Sequence, residues 1–158
     1  MPAGWAATDM PDQQGRTAVV TGANSGIGFH AALELARHGA RVLLACRDAD
    51  RGGVARSAIV RLAPAASVEL VALDLADLDS VARLAGQFLG RGDGLDLLIN
   101  NAGVMAVPRR QTTAQGFELQ LGTNHLGHFA LTLRLLPALV ARPGSRVVTV
   151  SSLNHRLG

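Results

Sequence analysis

The chain has 158 residues, 48% of them hydrophobic, which is enough for one globular domain with a sizeable core. Its formal net charge is +3, all 15 basic residues are arginine, and aromatic residues make up only 3%. The arginines are scattered, so the clustered basic stripe with stacking rings that a nucleic-acid groove needs is missing, and we expect no nucleic-acid partner. The longest apolar stretch, Phe129 to Ala141, contains Arg134 and Pro137 and is too short to span a bilayer.

The single cysteine is informative about the cellular compartment of the protein. Cys46 has no second thiol to pair with, which fits a reducing cytoplasm, and we expect it to pack as a small hydrophobe. The alternative is a reactive thiol, since neighbouring Arg47 could lower its pKa. Residues 1–15 lack the basic-then-apolar pattern of a signal peptide and are expected to form an N-terminal extension. The sequence therefore predicts a cytoplasmic protein.

A glycine-rich turn follows the first predicted strand. The apolar run Thr17–Val20 predicts a buried strand, and Ala31–Ala36 predicts a helix closed by Gly39. Between them, Thr21–Gly28 has glycines in the order G-x-x-x-G-x-G. A strand, a tight turn and a helix in succession present backbone N–H groups and a positive helix end to a diphosphate.

Each glycine of the turn has a predicted purpose. Gly22 permits a sharp turn, Gly26 lets a ligand approach the backbone, and Gly28 lets the helix lie close to the strand. The stretch therefore predicts a dinucleotide-binding loop, with a purely structural turn as the alternative.

Strands and helices alternate along the rest of the chain, which predicts a doubly wound parallel α/β sheet of strand order 3-2-1-4-5. Ligands bind such sheets at the carboxyl ends of the strands, here between strands 1 and 4. The predicted later strands are 41–46, 68–73, 95–99 and 145–151, and the predicted helices are 49–62, 80–89 with Asp77 or Asp79 as N-cap, and 116–140 with a kink near Pro137.

Polar residues follow the predicted strands. Arg47 follows strand 2, where a carboxylate would bind a ribose 2′-OH and a guanidinium suits a 2′-phosphate; a solvated arginine is the alternative. Asp74 follows strand 3 and is a candidate acceptor for an exocyclic amine or a cap for the next helix. Asn100–Gly103 follows strand 4, and Ser151 and Ser152 follow strand 5, where a hydroxyl can orient a carbonyl. Asn124 lies inside a predicted helix, which suggests a separate task for its amide.

In this order, the motifs resemble those of the short-chain dehydrogenases/reductases, and among them the retinol dehydrogenase and protochlorophyllide reductase-like oxidoreductases. The resemblance extends over nearly all of the chain from Arg16 onward. The motifs that carry it are Thr21–Gly28, Ala45–Asp48, Asp74-Leu75, Asn100–Met105, Asn124–Phe129 and Val148–Ser152.

The resemblance implies a Rossmann-like NAD(P)-binding domain over residues 1–158 and a role for each motif. The diphosphate would be held by Gly22, Asn24, Ser25, Gly26 and Ile27, with Gly28 completing the loop. Arg47 would select NADP(H) over NAD(H), Asp74 and Leu75 would contact adenine, and Asn101, Ala102 and Gly103 would line the nicotinamide ribose. Asn124 would order a water in a proton relay, and Ser152 would hydrogen-bond the substrate carbonyl. No metal is implied, so His125 and His128 are expected to be packing histidines.

The family transfers hydride between nicotinamide and a carbonyl or alcohol, with a proton from the tyrosine of a Tyr-x-x-x-Lys motif. This sequence contains no tyrosine and no lysine, and it ends six residues after Ser152, at Gly158. We therefore expect the amino-terminal, C-terminally incomplete part of a longer oxidoreductase, inactive alone. A non-catalytic dinucleotide-binding fragment is the alternative. The small-molecule substrate is not specified, and a homo-oligomer is expected only of a complete protein.

Overall fold

The computed structural model describes residues 4–152 and contains a five-stranded parallel sheet. The strands are ordered β3-β2-β1-β4-β5, as the sequence predicts. The elements are a 3-10 turn (Ala7–Asp9), β1 (Thr17–Thr21), α1 (Gly26–Arg37), β2 (Arg41–Cys46), α2 (Ala49–Leu62), β3 (Ser67–Ala72), α3 (Leu78–Gly90), β4 (Leu97–Asn100), a π-helical segment (Leu121–Gly127), α4 (His128–Val140) and β5 (Arg146–Thr149).

The sheet is covered by helices on both faces, because side chains of one strand alternate between the two sides. Val19 and Leu43 face one core with α3 and α4. Val20 and Leu44 face the other core with α1 and α2. Their registers are aligned across the sheet, Val20 pairing with Leu44 on one side and with Ile99 on the other. β1 and β2 are thus buried on both faces, which explains their continuous apolar runs.

Several predicted boundaries differ from the structure: β3, β4 and α3 are displaced by one or two residues at their ends, and three further differences affect α1, the helix predicted from Gly116 and β5. α1 begins at Gly26, five residues before Ala31, so two of the loop glycines lie within its first turn. The helix predicted from Gly116 begins after an isolated bridge between Thr112 and Glu118. β5 is shorter than predicted, covering Arg146–Thr149. The predicted end of the helix from Gly116 is correct, because α4 ends at Val140 with Pro137 inside it.

Two predicted details are confirmed. The backbone of Gly39 has a φ of +94°, so glycine closes α1 as expected. Of the two candidate N-caps of α3, Asp77 is the one used, and its side chain accepts the Asp79 N–H.

β5 is an edge strand within residues 4–152. All four of its residues are exposed, and Val147 and Val148 each retain 43% of their accessible surface. Exposed, apolar strand edges are templates for pairing with another chain. This edge of the sheet is therefore apolar and exposed in the described part of the chain.

Candidate functional site

A crevice with a volume of about 320 Å³ opens at the carboxyl ends of the central strands. It brings together residues from the ends of β1, β2, β3 and β4, which the sheet order places side by side. Its lining comprises Gly22, Asn24, Ser25, Ala45, Arg47, Leu73, Asp74, Leu75, Asn101, Ala102, Gly103, Val104 and Thr123. All the predicted cofactor residues except Gly26, Ile27 and Gly28 therefore line one cavity.

The glycine loop is shaped by close contacts. Gly22 has a φ of +65°, and a Cβ there would lie 2.9 Å from the Cα of Ala102. A Cβ on Gly28 would lie 2.6 Å from the carbonyl oxygen of Gly22 and would also strike the amide of Asn101. Side chains at either position would separate the loop from the turn after β4. These two contacts explain why glycine is needed where the sequence predicted it.

α1 begins at this loop, and its first turn offers donors. Ser25 is the N-cap, but its hydroxyl makes no capping hydrogen bond. The first backbone N–H groups of any helix have no partner within the helix, so the end of α1 is suited to an anion. A Cβ built on Gly26 would meet nothing within 4 Å, so the space in front of this residue is open. Ile27 lies outside the crevice lining, with 69% of its surface exposed.

The turn after β4 is fastened to the end of β1. The buried Thr21 hydroxyl accepts the N–H groups of Asn101 and Ala102, each at 2.9 Å. The Asn101 side-chain amide donates to the Thr21 carbonyl at 2.9 Å. One of the two N–H groups of the Asn101 side-chain amide is therefore used within the protein.

Asn124 lies in the π-helical segment and clamps the same turn from the other side. Its Oδ1 accepts the Val104 N–H and its Nδ2 donates to the Val104 carbonyl, both at 2.8 Å. These two hydrogen bonds to the Val104 backbone are a role outside its own helix for the Asn124 side-chain amide, as the sequence suggested. Asn124 does not itself line the crevice. Its part in a proton relay stays a prediction.

Arg47 and Asp74 lie on the β2–β3 side of the crevice. Arg47 is exposed, and its guanidinium makes no ion pair with any residue in the described part of the chain, whereas adjacent Asp48 is committed as N-cap of α2. Asp74 Oδ1 accepts the Ala76 N–H at 2.9 Å, so this oxygen caps a local turn. Its Oδ2 makes no hydrogen bond within residues 4–152 and is available to a ligand.

Ser152 follows β5 at an exposed position outside the crevice lining. The six residues after it, 153–158, lie outside the described residues. The expected contact of Ser152 with a substrate carbonyl therefore stays a prediction.

The two histidines differ in their surroundings. His128 is buried, and its Nε2 lies 2.8 Å from Thr21 Oγ1 while its Nδ1 lies 2.9 Å from the Asn124 carbonyl oxygen. Burial lowers the pKa of His128 below its ordinary value, against a smaller opposing effect of that carbonyl. His125 is exposed and stacks on Phe129, with ring centroids 6.3 Å apart. Within residues 4–152, no group of three or more metal-ligating side chains is close enough to bind an ion.

Cys46 is also buried, with 3% of its surface exposed, and burial raises the pKa of its thiol. The expectation that Cys46 packs as a small hydrophobe is therefore confirmed, and its burial opposes the lowering of the thiol pKa that a neighbouring Arg47 would cause.

Sequence reasoning gave no role to four of the lining residues. Ala45 is the penultimate residue of β2 and Leu73 directly follows β3, so the rule that ligands bind at strand ends could have found both. Val104 belongs to the Asn100–Met105 motif, but only other members of that motif carried an implied role. Thr123 offered no signal in the sequence: it lies in the π-helical segment, is 8% exposed, and its Oγ1 has no hydrogen-bond partner among residues 4–152.

In the described part of the chain, no helix is both long and apolar enough to cross a membrane.

Comparison with known proteins identifies relatives over almost the whole chain. A family model described as short chain dehydrogenase matches residues 16–158. Mouse retinol dehydrogenase 11 is 51% identical over 144 residues, which are 91% of this chain and 45% of that protein. The chain thus spans about half the length of the curated relatives it matches.

Solved structures agree with this assignment. An uncharacterised protein from Mycobacterium paratuberculosis is 50% identical, with a TM-score of 0.81, and the match covers 96% of this chain and 52% of that one. A metagenomic short-chain oxidoreductase in complex with NADP is 31% identical, with a TM-score of 0.78, over 89% of this chain and 64% of that one. The chain belongs to the short-chain dehydrogenase family.

Proposed function

We propose that the crevice binds NADP(H) and that the chain is the cofactor-binding part of an oxidoreductase. The reaction is hydride transfer between nicotinamide and a small carbonyl or alcohol substrate. The single observation that carries this proposal is the composition of the crevice, which joins a glycine loop, a helix N-terminus and an arginine at the carboxyl ends of parallel strands. The relative solved in complex with NADP supports the same class of cofactor.

The diphosphate belongs at the glycine loop. Asn24 and Ser25 line the crevice where α1 begins, and the Ser25 hydroxyl and the first N–H groups of the helix supply donors for phosphate oxygens. Gly26 lies outside the crevice lining, and its proposed part is to start α1 next to Ser25 without a side chain in front of the helix end. Gly22, Gly28 and Ile27 complete this segment.

The adenosine half belongs on the β2–β3 side. Arg47 lines the crevice with no anionic partner in the described chain, so it would bind a 2′-phosphate without breaking an ion pair. Asp74 Oδ2 and the buried Leu75 are suited to the adenine amine and ring. This arrangement favours NADP(H) over NAD(H).

The nicotinamide ribose belongs beside the turn after β4, where Asn101, Ala102 and Gly103 line the crevice. Thr123 supports a polar ligand in this cavity, because its buried hydroxyl has no partner in the part of the protein that the structure describes. A buried hydroxyl without a hydrogen bond is costly, and a cofactor oxygen or nitrogen would satisfy it.

When bound, the nicotinamide supplies or accepts the hydride, and the protein must then supply or accept a proton. Ser152 is the proposed contact of the substrate carbonyl, and Asn124 the proposed support of a proton-relay water. The sequence contains no tyrosine or lysine to serve as the family's proton donor. We therefore expect these 158 residues to bind cofactor without turning over a carbonyl substrate. A non-catalytic dinucleotide-binding protein is the second candidate, and the same missing donor favours it.

Assembly and location follow as part of the proposal. One face of α4 exposes Phe129, Leu133, Leu136 and Val140, and this apolar stripe supports a homo-oligomer in a complete protein. The buried free thiol of Cys46 supports a reducing compartment, the cytoplasm.

Replacing Arg47 tests the cofactor preference. For Arg47→Asp, we expect the Kd for NADPH to rise about tenfold or more, because a charge-assisted contact becomes a repulsive one, while the Kd for NADH stays the same or falls. Isothermal titration calorimetry measures both. Arg109→Asp is the matched control, since it changes the net charge equally at an exposed position outside the crevice lining. An unchanged NADPH preference in Arg47→Asp would remove Arg47 from the proposal.

A further inference from the structure

His128 lies at the centre of a hydrogen-bond network that joins separate parts of the crevice wall. Its ring contacts the Thr21 hydroxyl on one side and the Asn124 carbonyl on the other. Thr21 is fully buried, and His128 is 5% exposed. His128 does not line the crevice, so any effect on a ligand must act through its neighbours.

The partners determine where the ring carries its proton. The Asn124 carbonyl is only an acceptor, so the Nδ1 atom 2.9 Å away must carry a hydrogen. A neutral imidazole has one N–H group, and therefore Nε2 is an acceptor. The Thr21 hydroxyl, 2.8 Å from Nε2, must then be the donor.

The Thr21 hydroxyl fits this assignment. It already accepts the Asn101 and Ala102 N–H groups, so both of its acceptor sites are used. Among the described residues, the other acceptor near its hydrogen is the Ile99 carbonyl, at the longer distance of 3.4 Å. One donated and two accepted bonds satisfy the hydroxyl completely.

We propose that His128 is a positioning residue, which as the neutral Nδ1–H tautomer holds the glycine loop, the turn after β4 and the π-helical segment in one arrangement. Thr21 precedes the lining residue Gly22 and fastens Asn101 and Ala102, while Asn124 clamps Val104. The inference rests on the proposed function, because the arrangement matters only if the crevice binds a dinucleotide.

The tautomer is tested directly on the unliganded chain. Long-range ¹H–¹⁵N correlation spectra distinguish a protonated Nδ1 from a protonated Nε2. We expect His128 to show a protonated Nδ1 and a bare Nε2 at neutral pH. The opposite tautomer, or a mixture of both, would overturn the proposal, and this result does not depend on whether any variant folds.

The positioning effect is tested by calorimetry with NADPH. For His128→Leu, which removes both bonds, we expect the Kd to rise about tenfold. His128→Gln keeps an acceptor for the Thr21 hydroxyl, so it should recover part of this loss. The effects of Thr21→Val and His128→Leu should be less than additive, because both remove the same hydrogen bond.

His38 is the matched control. Its Nδ1 also lies 2.8 Å from the carbonyl of the residue four positions earlier, Glu34, at the far end of α1 and outside the crevice lining. His38→Leu should leave the Kd for NADPH unchanged. A Kd for His128→Leu equal to that of the unmodified chain would overturn the proposal. If the unmodified chain did not bind NADPH, the proposed function would be wrong, and the tautomer would still decide whether the network exists.

Discussion

Two glycines in helices of this chain differ in the space around them: one is closely packed and the other is open. Gly28 lies in the first turn of α1, where an added Cβ would be 2.6 Å from the Gly22 carbonyl oxygen. Gly53 lies within α2, where an added Cβ would meet nothing within 4 Å. In a helix, alanine is more favourable than glycine by up to about 1 kcal/mol. Replacing a helical glycine by alanine therefore stabilises the fold unless the added Cβ overlaps other atoms, as it does at Gly28.

We predict that Gly28→Ala lowers the free energy of unfolding by about 1–3 kcal/mol, since backbone must move to relieve the overlap. Gly53→Ala should instead raise it by about 0.5–1 kcal/mol. Urea denaturation measures both variants under one condition. A stabilised Gly28→Ala would show that α1 can move away from the glycine loop without cost.

Arg47 shows what a single residue can and cannot reveal in a sequence. Its distance from the glycine loop along the chain is enough to predict a contact with a 2′-phosphate. That its guanidinium makes no ion pair within residues 4–152 could not be predicted from the sequence, because ion pairing depends on whether nearby carboxylates, such as that of Asp48, are used elsewhere in the fold. Asp48 is instead committed to the first turn of α2, where it accepts the Arg51 N–H at 2.9 Å.

At the scale of whole elements, the sheet was predictable and some helix starts were not. Continuous apolar runs such as Val42–Cys46 indicated strands buried on both faces, and their alternation with helices determined the strand order. The start of α1 was missed because glycine disfavours a helix, yet close packing at Gly28 requires glycine there. At this turn the low helix propensity of glycine disfavours a helix, whereas the tertiary contacts of Gly28 leave no space for a side chain.

The π-helical segment could not be predicted from its own residues. It contains Thr123 and Asn124, and Asn124 bonds to Val104, twenty positions earlier in the chain. Such a contact depends on the assembled sheet rather than on spacing within the helix. For the same reason the sequence pointed to a task for the Asn124 amide but not to its partner, and Thr123 was missed.

The β5 edge carries a prediction of its own. Val148 pairs with Ile99 of β4 on one side of the strand and retains 43% of its accessible surface. Because the other side of the strand is an apolar edge, we expect the chain to self-associate through β5. Sedimentation velocity should show oligomers that Val148→Lys reduces, because a charged side chain disfavours pairing at an edge.

Val54→Lys is the control for this experiment. Val54 is 73% exposed on α2, which packs on β2 and β3 at the end of the sheet opposite β5, so the same substitution should not change the sedimentation profile. A monomeric unmodified chain, or an equal effect of both substitutions, would contradict self-association through β5.

Across the whole molecule, the crevice depends on parts that lie far apart in the sequence. Thr21 and Ala102, which are 81 positions apart, share a hydrogen bond, and Thr21 and His128 are 107 positions apart. The parallel sheet brings these parts together at the carboxyl ends of its strands. The crevice therefore forms only when the fold forms, and binding of a dinucleotide should in turn stabilise the fold.

The most direct test of the central claim is calorimetric titration of the unmodified 158-residue chain with NADPH and, separately, with NADH. We predict saturable binding of one NADPH per chain, with a Kd lower than that for NADH. Absence of NADPH binding to the folded chain would contradict the assignment of the crevice as a dinucleotide site, and tighter binding of NADH would contradict the role given to Arg47.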